Sequence, residues 1–142
     1  MVIVKVLVVS NGFLKINELM EKILYSAVVL NDLSRIKLYD LFKHLIPNNF
    51  EFICHHMTIA FGKPVPNSKD LGKEVTLTVT KLGISDMVIA VGVTGYDSLN
   101  EIPHITVAIN PDGGKPVMSN HITDWKPVKP FDVTGIVTNI KK

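Results

Sequence analysis

Two short segments of this sequence repeat one pattern, and each lies within an otherwise apolar run. Residues 56–60 read His-Met-Thr-Ile-Ala, and residues 104–108 read His-Ile-Thr-Val-Ala. Side chains alternate between the two faces of a strand, so His, Thr and Ala share one face and the intervening apolar residues share the other. A polar group in a strand loses its water and needs a partner or a ligand. The repeat therefore predicts two strands with one polar and one apolar face each.

The rest of the chain reads as short strands around one main helix. Prolines and glycines separate runs that are rich in β-branched and apolar residues. Apolar residues recur at helical spacing after a capping Asn31 or Asp32, and Pro47 stops the pattern, which predicts a helix over 32–46. The other predicted elements are strands at 2–9, 24–30, 50–61, 102–110 and 131–140, a hairpin over 73–93 and a short helix over 16–23, with 117–125 ambiguous. The sequence thus predicts an α+β fold dominated by strands.

The length and composition of the chain are ordinary for one globular domain over 1–142. With 46% hydrophobic residues, a disordered chain is excluded. The net charge of +2 comes without a run of basic residues, so the sequence indicates no basic surface for a nucleic-acid duplex, although this charge suits a small anionic ligand. A single cysteine fits a reducing compartment, so we expect a cytoplasmic protein. The apolar segment 1–9 is too short to span a membrane and is interpreted as a buried strand rather than a signal peptide.

The paired motifs His56-x-Thr58 and His104-x-Thr106 resemble the signature of the two-histidine (2H) phosphoesterases, the superfamily that includes the LigT-type RNA cyclic phosphodiesterases. The segment YSAVVLNDLSRIKLYDLFKHLIPNNFEFICHHMTIAFG is similar to the strand, helix, strand unit that carries the first motif there. The resemblance implies two-lobed, pseudo-symmetric antiparallel sheets with a central cleft. It also implies metal-free hydrolysis of a 2',3'-cyclic phosphate or a related phosphodiester, with an RNA end or a nucleotide as partner and no cofactor.

The residue types in the motifs suit this chemistry. Opening a cyclic phosphodiester needs a base that takes a proton from water and an acid that gives one to the leaving ribose oxygen. Imidazoles, with an ordinary pKa of about 6.5, supply both near neutral pH. We therefore expect His56 and His104 to be acid and base, in an order left open, with a bell-shaped pH profile between about pH 5 and 8. Thr58 and Thr106 are expected to donate to phosphoryl oxygens.

Three further residues are candidate substrate contacts. Lys63 follows the first motif strand and can reach a phosphate, although a solvated loop lysine is the simpler interpretation. Tyr25 and Tyr96 can stack on a base. The alternative for both tyrosines is that they cap the core at the ends of strands.

The other histidines and the cysteine receive different interpretations. Cys54 shares the alternation face of His56, yet nothing in the sequence activates it, so we expect a small buried side chain. His55 falls on the opposite, apolar face and is expected to be a buried or supporting histidine. His121 is placed in a loop, and His44 near the end of the helix, where a cation is favourable.

Two alternative functions stay open at this point. Four borderline zinc ligands are present, namely Cys54, His56, His104 and His121. No C-x-x-C or H-E-x-x-H spacing supports a zinc site, and such a site would not require matching threonines. The second alternative is a non-catalytic module of the same fold that binds RNA ends or nucleotides.

Overall fold

The computed structural model describes residues 22–142. The strand predicted at 2–9 and nearly all of the helix predicted at 16–23 lie outside the described residues. The described elements are β1 (Ile23–Leu30), α1 (Asp32–Phe42), a 3-10 turn (Lys43–Leu45), β2 (Glu51–Phe52), β3 (His56–Phe61), a 3-10 turn (Ser68–Asp70), β4 (Glu74–Ile84), β5 (Val88–Thr94), β6 (His104–Ile109), a 3-10 turn (Pro116–His121) and β7 (Trp125–Lys141).

The described strands form one antiparallel sheet in the order β2-β6-β3-β1-β7-β4-β5. β5 also pairs with β6, from Val88 opposite Ile109 to Gly92 opposite His104, so the sheet closes on itself. Closure removes most of the open strand edges that would otherwise invite pairing with other chains. The predicted α+β fold, dominated by strands with one main helix, is confirmed, and the predicted hairpin is β4 and β5.

The apolar face of the two motif strands lies in the core, as the alternation predicts. Met57, Ile105 and Val107 are fully buried, and Ile59 is 2% exposed. They pack in one cluster with apolar residues from every other described long strand. Burial of apolar surface stabilises the fold by roughly 25 cal/mol per Å². The polar face of the motifs is therefore fixed on the opposite side of the sheet.

Helix α1 packs on the sheet through a narrow stripe. Its first turn is capped by the Asn31 side chain, which accepts a hydrogen bond from the Ser34 N–H at 2.8 Å. Leu38 and Phe42 are buried, and the Phe42 ring lies against Phe131 of β7. The predicted helix over 32–46 ends earlier, since 43–45 form a 3-10 turn. Several apolar residues of the predicted pattern are exposed, namely Leu33, Ile36, Leu41 and Leu45.

The predicted continuous strand over 50–61 is wrong, because two strands replace it. β2 ends at Phe52, β3 begins at His56, and the residues between them belong to neither. Cys54 has a φ of 44°, which lies in the left-handed region. The local sequence gives no sign of such a turn, because side chain to backbone contacts from elsewhere in the fold stabilise it.

The C-terminal part of the chain also differs from its prediction. The ambiguous segment contains the 3-10 turn Pro116–His121, and β7 runs from Trp125 to Lys141 rather than over 131–140. β7 contains Pro127 and Pro130, and both lie at the place where its register against β4 shifts between Val79 and Lys81, an irregularity at which a strand tolerates proline. Among the described helices, none has the length and apolar character to cross a membrane.

Candidate active site

The pairing of β3 with β6 brings the two motifs side by side. Met57 lies opposite Ile105 in this antiparallel pair. Continued by one residue in each direction, the register places each histidine across from the threonine of the other motif, namely His56 opposite Thr106 and Thr58 opposite His104. The described pairing of the two strands is limited to that central pair. The strands therefore diverge on both sides of it, which leaves space over the polar face.

The four motif side chains all line a single cavity of about 350 Å³. The 3-10 turn that follows β6 supplies one wall through Pro116, Val117 and Asn120. The opposite wall includes Tyr25 of β1 and Phe61 at the end of β3. A cavity of this size holds a small ligand such as a nucleotide.

A bulge follows the threonine in each motif strand. The extra residue is Ile59 in β3 and Val107 in β6. A bulge shifts the alternation of side chains by one position. Ala60 and Ala108 consequently pack in the core, whereas the simple alternation predicted them on the face of the histidines. Phe61 lines the cavity instead.

A kink before β3 directs two consecutive histidines toward the cavity. The left-handed conformation of Cys54 is unfavourable for a residue with a side chain and persists only where its surroundings fix it. The Cys54 N–H donates to the Thr106 carbonyl at 3.0 Å. The guanidinium of Arg35 on α1 donates to the carbonyls of Cys54 at 2.9 Å and Ile53 at 3.0 Å. Arg35 therefore holds the kink from the helix side.

His55 lines the cavity, so its predicted place on the apolar face is wrong. Alternation does not apply across Cys54, because the chain turns there. The Nδ1 atoms of His55 and His56 are 2.9 Å apart, and the two rings meet edge to face with centroids 5.1 Å apart. The two imidazoles thus form a hydrogen-bonded pair at the cavity wall.

The Tyr25 ring stacks on the imidazole of His56. Their centroids are 4.8 Å apart and their planes differ by 26°. Burial raises the pKa of the Tyr25 phenol. The predicted role of Tyr25 is thereby changed in part, because one face of its ring is already occupied by His56. Tyr25 and His55 together restrict the orientation of His56.

The imidazole of His104 is held by a backbone carbonyl. His104 is 7% exposed, and its Nδ1 lies 2.7 Å from the carbonyl oxygen of Ile102. A carbonyl can only accept, so Nδ1 carries the proton of this hydrogen bond. In neutral His104 the Nε2 atom is therefore unprotonated and available as a base.

The two threonine hydroxyls have different surroundings. Thr106 Oγ1 is 2.8 Å from the Ser119 hydroxyl and 3.4 Å from the Pro116 carbonyl. Ser119 is 2% exposed, so this pair is shielded from water. The backbone carbonyl of Thr58 accepts a hydrogen bond from the Ser98 hydroxyl at 2.7 Å. The Thr58 hydroxyl lines the cavity and is available to a ligand.

Burial lowers the pKa of both motif histidines. The pKa of His56 falls to about 4, mainly because burial disfavours its charge and secondarily through the charges of His55 and His104. The pKa of His104 is lowered by burial, and its hydrogen bond to Ile102 opposes this change. Without a ligand, both imidazoles are therefore neutral at pH 7.

The structure does not bring every candidate to this cavity. Lys63 is exposed and lies outside its lining. Tyr96 also lies outside it, because its hydroxyl donates to Asp70 at 2.6 Å and its ring packs against the core. Burial, followed by the bond to Asp70, raises the pKa of Tyr96 to about 12. His121 ends a 3-10 turn and lines a neighbouring cavity, and His44 is exposed on the turn after α1.

The four borderline zinc ligands do not converge. Cys54 is fully buried in the core, where burial raises its pKa to about 12 against the smaller opposing effect of Arg35. His121 lines a different cavity from His56 and His104. Within the part of the chain that the structure describes, no group of three or more His, Cys, Asp or Glu side chains is placed to hold a metal ion.

Two residues that contact the site, Arg35 and Ser119, were not identified from the sequence, and a third, His55, was assigned to the wrong face. Arg35 and Ser119 act through contacts with residues far away in the chain, which no local pattern reveals. His55 was visible as the first of two adjacent histidines, but the alternation rule placed it on the wrong face. The doubled histidine was therefore the available signal.

Comparisons with known proteins do not assign the chain to a family. No protein-family model matches the sequence, and no curated protein matches it significantly. The functional interpretation therefore depends on the geometry of the cavity.

Proposed function

We propose that this protein is a metal-independent phosphodiesterase of the 2H type that opens 2',3'-cyclic phosphates of RNA ends or nucleotides. The observation that carries the proposal is that two imidazoles and two threonine hydroxyls meet in one nucleotide-sized cavity. The bulge after each threonine supports two related halves, as in a two-lobed LigT-like fold. A cytoplasmic location with access to RNA ends belongs to the same proposal.

The surroundings of the two histidines support different roles for them. His104 is the general base, because its carbonyl partner leaves Nε2 unprotonated when the ring is neutral. His104 Nε2 takes a proton from water as the water oxygen attacks phosphorus. The bond from phosphorus to one ribose oxygen breaks, and His56 gives a proton to that oxygen. The anionic substrate favours protonated His56, because a nearby negative charge raises the pKa of an imidazole.

The remaining polar groups bind the phosphoryl oxygens. The Thr58 hydroxyl donates to a non-bridging oxygen whose negative charge increases in the transition state. Thr106 can donate to the other oxygen once its proton leaves the Pro116 carbonyl, which it contacts at 3.4 Å without ligand, while its own oxygen accepts a hydrogen bond from Ser119. Each hydroxyl lies across from the histidine of the other motif on neighbouring strands, so the two hydroxyls orient the phosphorus between the imidazoles.

An apolar shelf beside these groups suits a nucleobase. Phe61 is 84% exposed and Val117 is 60% exposed, although both line the cavity. Stacking on an aromatic ring contributes roughly 1–3 kcal/mol per base and tolerates any base. The cavity therefore favours a nucleoside phosphate over inorganic phosphate.

A non-catalytic binding module is the second candidate, and one observation favours it. Both motif imidazoles are neutral at pH 7 without ligand, and none of the described residues that line the cavity is Lys or Arg. Such a site binds a cyclic phosphate through hydroxyl and imidazole donors but lacks a ready acid. The two candidates differ in whether the bound cyclic phosphate is opened.

The test uses metal-free full-length protein, uridine 2',3'-cyclic phosphate and a short RNA with a cyclic end. The phosphorus NMR signal is followed with and without chelator. We expect the cyclic signal to be replaced by that of a phosphomonoester at a rate that the chelator does not change. Turnover that requires added zinc contradicts the mechanism, and binding with an intact cyclic phosphate assigns the protein to the non-catalytic class.

A further inference from the structure

A second cavity adjoins the active-site cavity on the side of His104. It has a volume of about 560 Å³, and Asn100 and Asn120 line both cavities. Ile102 also lines the second cavity, and its carbonyl is the group that contacts His104 Nδ1. The cleft therefore continues beyond the catalytic groups, with Asn100 and Asn120 at the junction of the two cavities.

The loop before β6 forms one wall of the second cavity and is anchored to the first motif strand. The Leu99 N–H donates to the Ile59 carbonyl at 2.8 Å, and the Ser98 hydroxyl donates to the Thr58 carbonyl at 2.7 Å. The Asn100 N–H in turn donates to the Ser98 hydroxyl at 3.1 Å. These three hydrogen bonds fix the place of Asn100 between the two cavities.

Trp125 at the start of β7 contributes an aromatic surface to the second cavity. Its Nε1 donates to the Ile122 carbonyl at 3.1 Å. Its ring lies against Gly83, where a Cβ would be 2.7 Å from the ring atom Cζ3, so only glycine leaves room for the indole. Because the indole is already fixed, a ligand that packs against its accessible part loses little additional conformational entropy.

Lys81 supplies a cation beside this aromatic surface. Lys81 pairs with Gly92, and Gly92 pairs with His104, so the side chains of Lys81 and His104 project from the same face of the sheet. Lys81 Nζ lies 5.6 Å from the centroid of the Trp125 ring. The ion pairs between described residues involve three other lysines, namely Lys43, Lys73 and Lys126. The ammonium group of Lys81 is thus available to an anion.

The polar groups of the second cavity favour a nucleoside inside it and phosphates at its two ends. Glu101 is exposed and lines this cavity, and an ionised carboxylate accepts hydrogen bonds but repels a phosphate. It therefore suits the hydroxyl groups of a ribose or the N–H groups of a base. The amides of Asn100 and Asn120 at the junction can donate to phosphate oxygens, and Lys81 attracts a phosphate beside Trp125.

We propose that the substrate is the 3' end of an RNA strand rather than a free nucleotide, and that the second cavity binds the nucleoside before the terminal one. This inference rests on the proposed function and deepens it, because it names the substrate class. The phosphate between the two nucleosides accepts hydrogen bonds from Asn100 and Asn120. The second nucleoside packs against Trp125, and the phosphate on its 5' side binds Lys81.

The first test measures binding without turnover. Calorimetry at one salt concentration compares uridine 3'-phosphate (Up), the dinucleotide UpUp and its 5'-phosphorylated form pUpUp, which all carry an open 3'-phosphate. We expect UpUp to bind about 10- to 100-fold more tightly than Up, because its second base packs on an aromatic surface. The 5'-phosphate should add a further gain of about 3- to 10-fold. Equal affinities for the three ligands, or no binding of any, overturn the inference.

The second test assigns the last gain to Lys81. Lys81→Met keeps an apolar stem over Gly92 and removes the charge, so it should abolish the gain from the 5'-phosphate and leave the affinities for Up and UpUp nearly unchanged. Lys81→Arg should restore the gain. Lys129→Met is the matched control, because Lys129 is exposed and lines neither cavity. An equal loss in this control shows an effect of net charge and contradicts the role of Lys81.

The third test separates this inference from the proposed function. Uridine 2',3'-cyclic phosphate is compared as a substrate with UpU that ends in a 2',3'-cyclic phosphate. We expect kcat/KM to be about 10- to 100-fold higher for the dinucleotide, mainly through a lower KM. Equal kcat/KM values overturn the inference and leave the phosphodiesterase standing. If neither substrate is opened but UpUp binds more tightly than Up, the phosphodiesterase is contradicted and the second cavity is retained as part of a binding site for RNA ends.

Discussion

The two H-x-T motifs share a sequence pattern but differ in what surrounds them. The second motif is enclosed: His104 is bound to a carbonyl, and Thr106 is paired with buried Ser119. The first motif is more open, with His56 paired to another histidine and a Thr58 hydroxyl that lines the cavity. Both strands have a bulge at the same position after the threonine. The two motif strands therefore share a backbone irregularity, but their side chains have different hydrogen-bond partners.

The two motif imidazoles differ in the group that each contacts through Nδ1. An imidazole bound to a carbonyl is fixed as a base when neutral, whereas an imidazole bound to another imidazole can retain a proton on its outer nitrogen. The motif alone specifies the strand, the face and the side chain. It does not specify which atom contacts each Nδ1.

Removal of either motif imidazole should have the largest effect. His104→Gln and His56→Gln are each expected to lower kcat about 10²- to 10⁴-fold, because one half of the acid–base pair is lost. Steady-state kinetics on a cyclic nucleotide measures this, and circular dichroism checks the fold. The matched control is His121→Gln, which replaces an exposed histidine of a neighbouring cavity. A comparable loss in the control means that the wrong pair was chosen.

Substitutions of the two threonines should differ more in their effect on the stability of the protein than in their effect on kcat. Thr58→Val and Thr106→Val each remove one transition-state donor, so kcat should fall about 10- to 1000-fold. Thr106→Val also leaves the buried Ser119 hydroxyl without its partner, at a cost of about 1–3 kcal/mol in the free energy of unfolding. Thr58→Val should unfold at nearly the wild-type denaturant concentration.

A double-mutant cycle sharpens this comparison. Adding Ser119→Ala to Thr106→Val removes both partners of the hydrogen bond, and the stability should partly recover. If Thr58→Val is as destabilising as Thr106→Val, the open and enclosed descriptions of the two motifs are wrong.

Removal of Arg35 should have a smaller effect, directed at the first motif. Arg35→Ala frees the carbonyls at the kink, so His55 and His56 lose their fixed orientation and kcat should fall about 10-fold. Lys37→Ala is the matched control on the same helix, because Lys37 binds an exposed carbonyl of Asp132. Equal losses of rate in both variants would show that the helix as a whole, rather than the kink, matters.

The smallest expected effect is on stability as a function of pH. The folded pKa of His56 is about 4, below the unfolded value of about 6.5, so the unfolded state binds the proton first as the pH falls. The stability is fully present above about pH 6.5 and declines until about pH 4, by on the order of 1 kcal/mol after screening by solvent. Denaturant unfolding across this window measures it. His56→Gln should show a shallower decline, and an unchanged slope contradicts the lowered pKa.

Much of this arrangement was predictable from local sequence. The alternation predicted the faces of the motif strands as far as the bulges at Ile59 and Val107, and the glycine turn between two apolar runs predicted the hairpin β4–β5. These features depend on residues one or two positions apart. The helix start was predictable for the same reason, since Asn31 caps it locally.

The parts that sequence did not predict depend on contacts between distant residues. Cys54 adopts its left-handed conformation because Arg35 and β6 bind the backbone around it, and this turn reverses the expected face of His55. The Nδ1 partners of the two motif histidines lie one and two positions away in the chain, yet no sequence pattern indicated these contacts. The sequence therefore left the order of acid and base open, and the order with His104 as base belongs to the proposal.

The pH dependence of the rate tests the central claim most directly. We predict that kcat/KM, which reports the free protein, is bell-shaped with both limbs below about pH 6.5, because both imidazoles have lowered pKa values. The bell of kcat should lie at higher pH, since bound phosphate favours protonated His56. Measurements on metal-free protein from pH 3.5 to 8 give both profiles. A kcat/KM that is flat across this range, or activity that appears only with added zinc, would contradict the account.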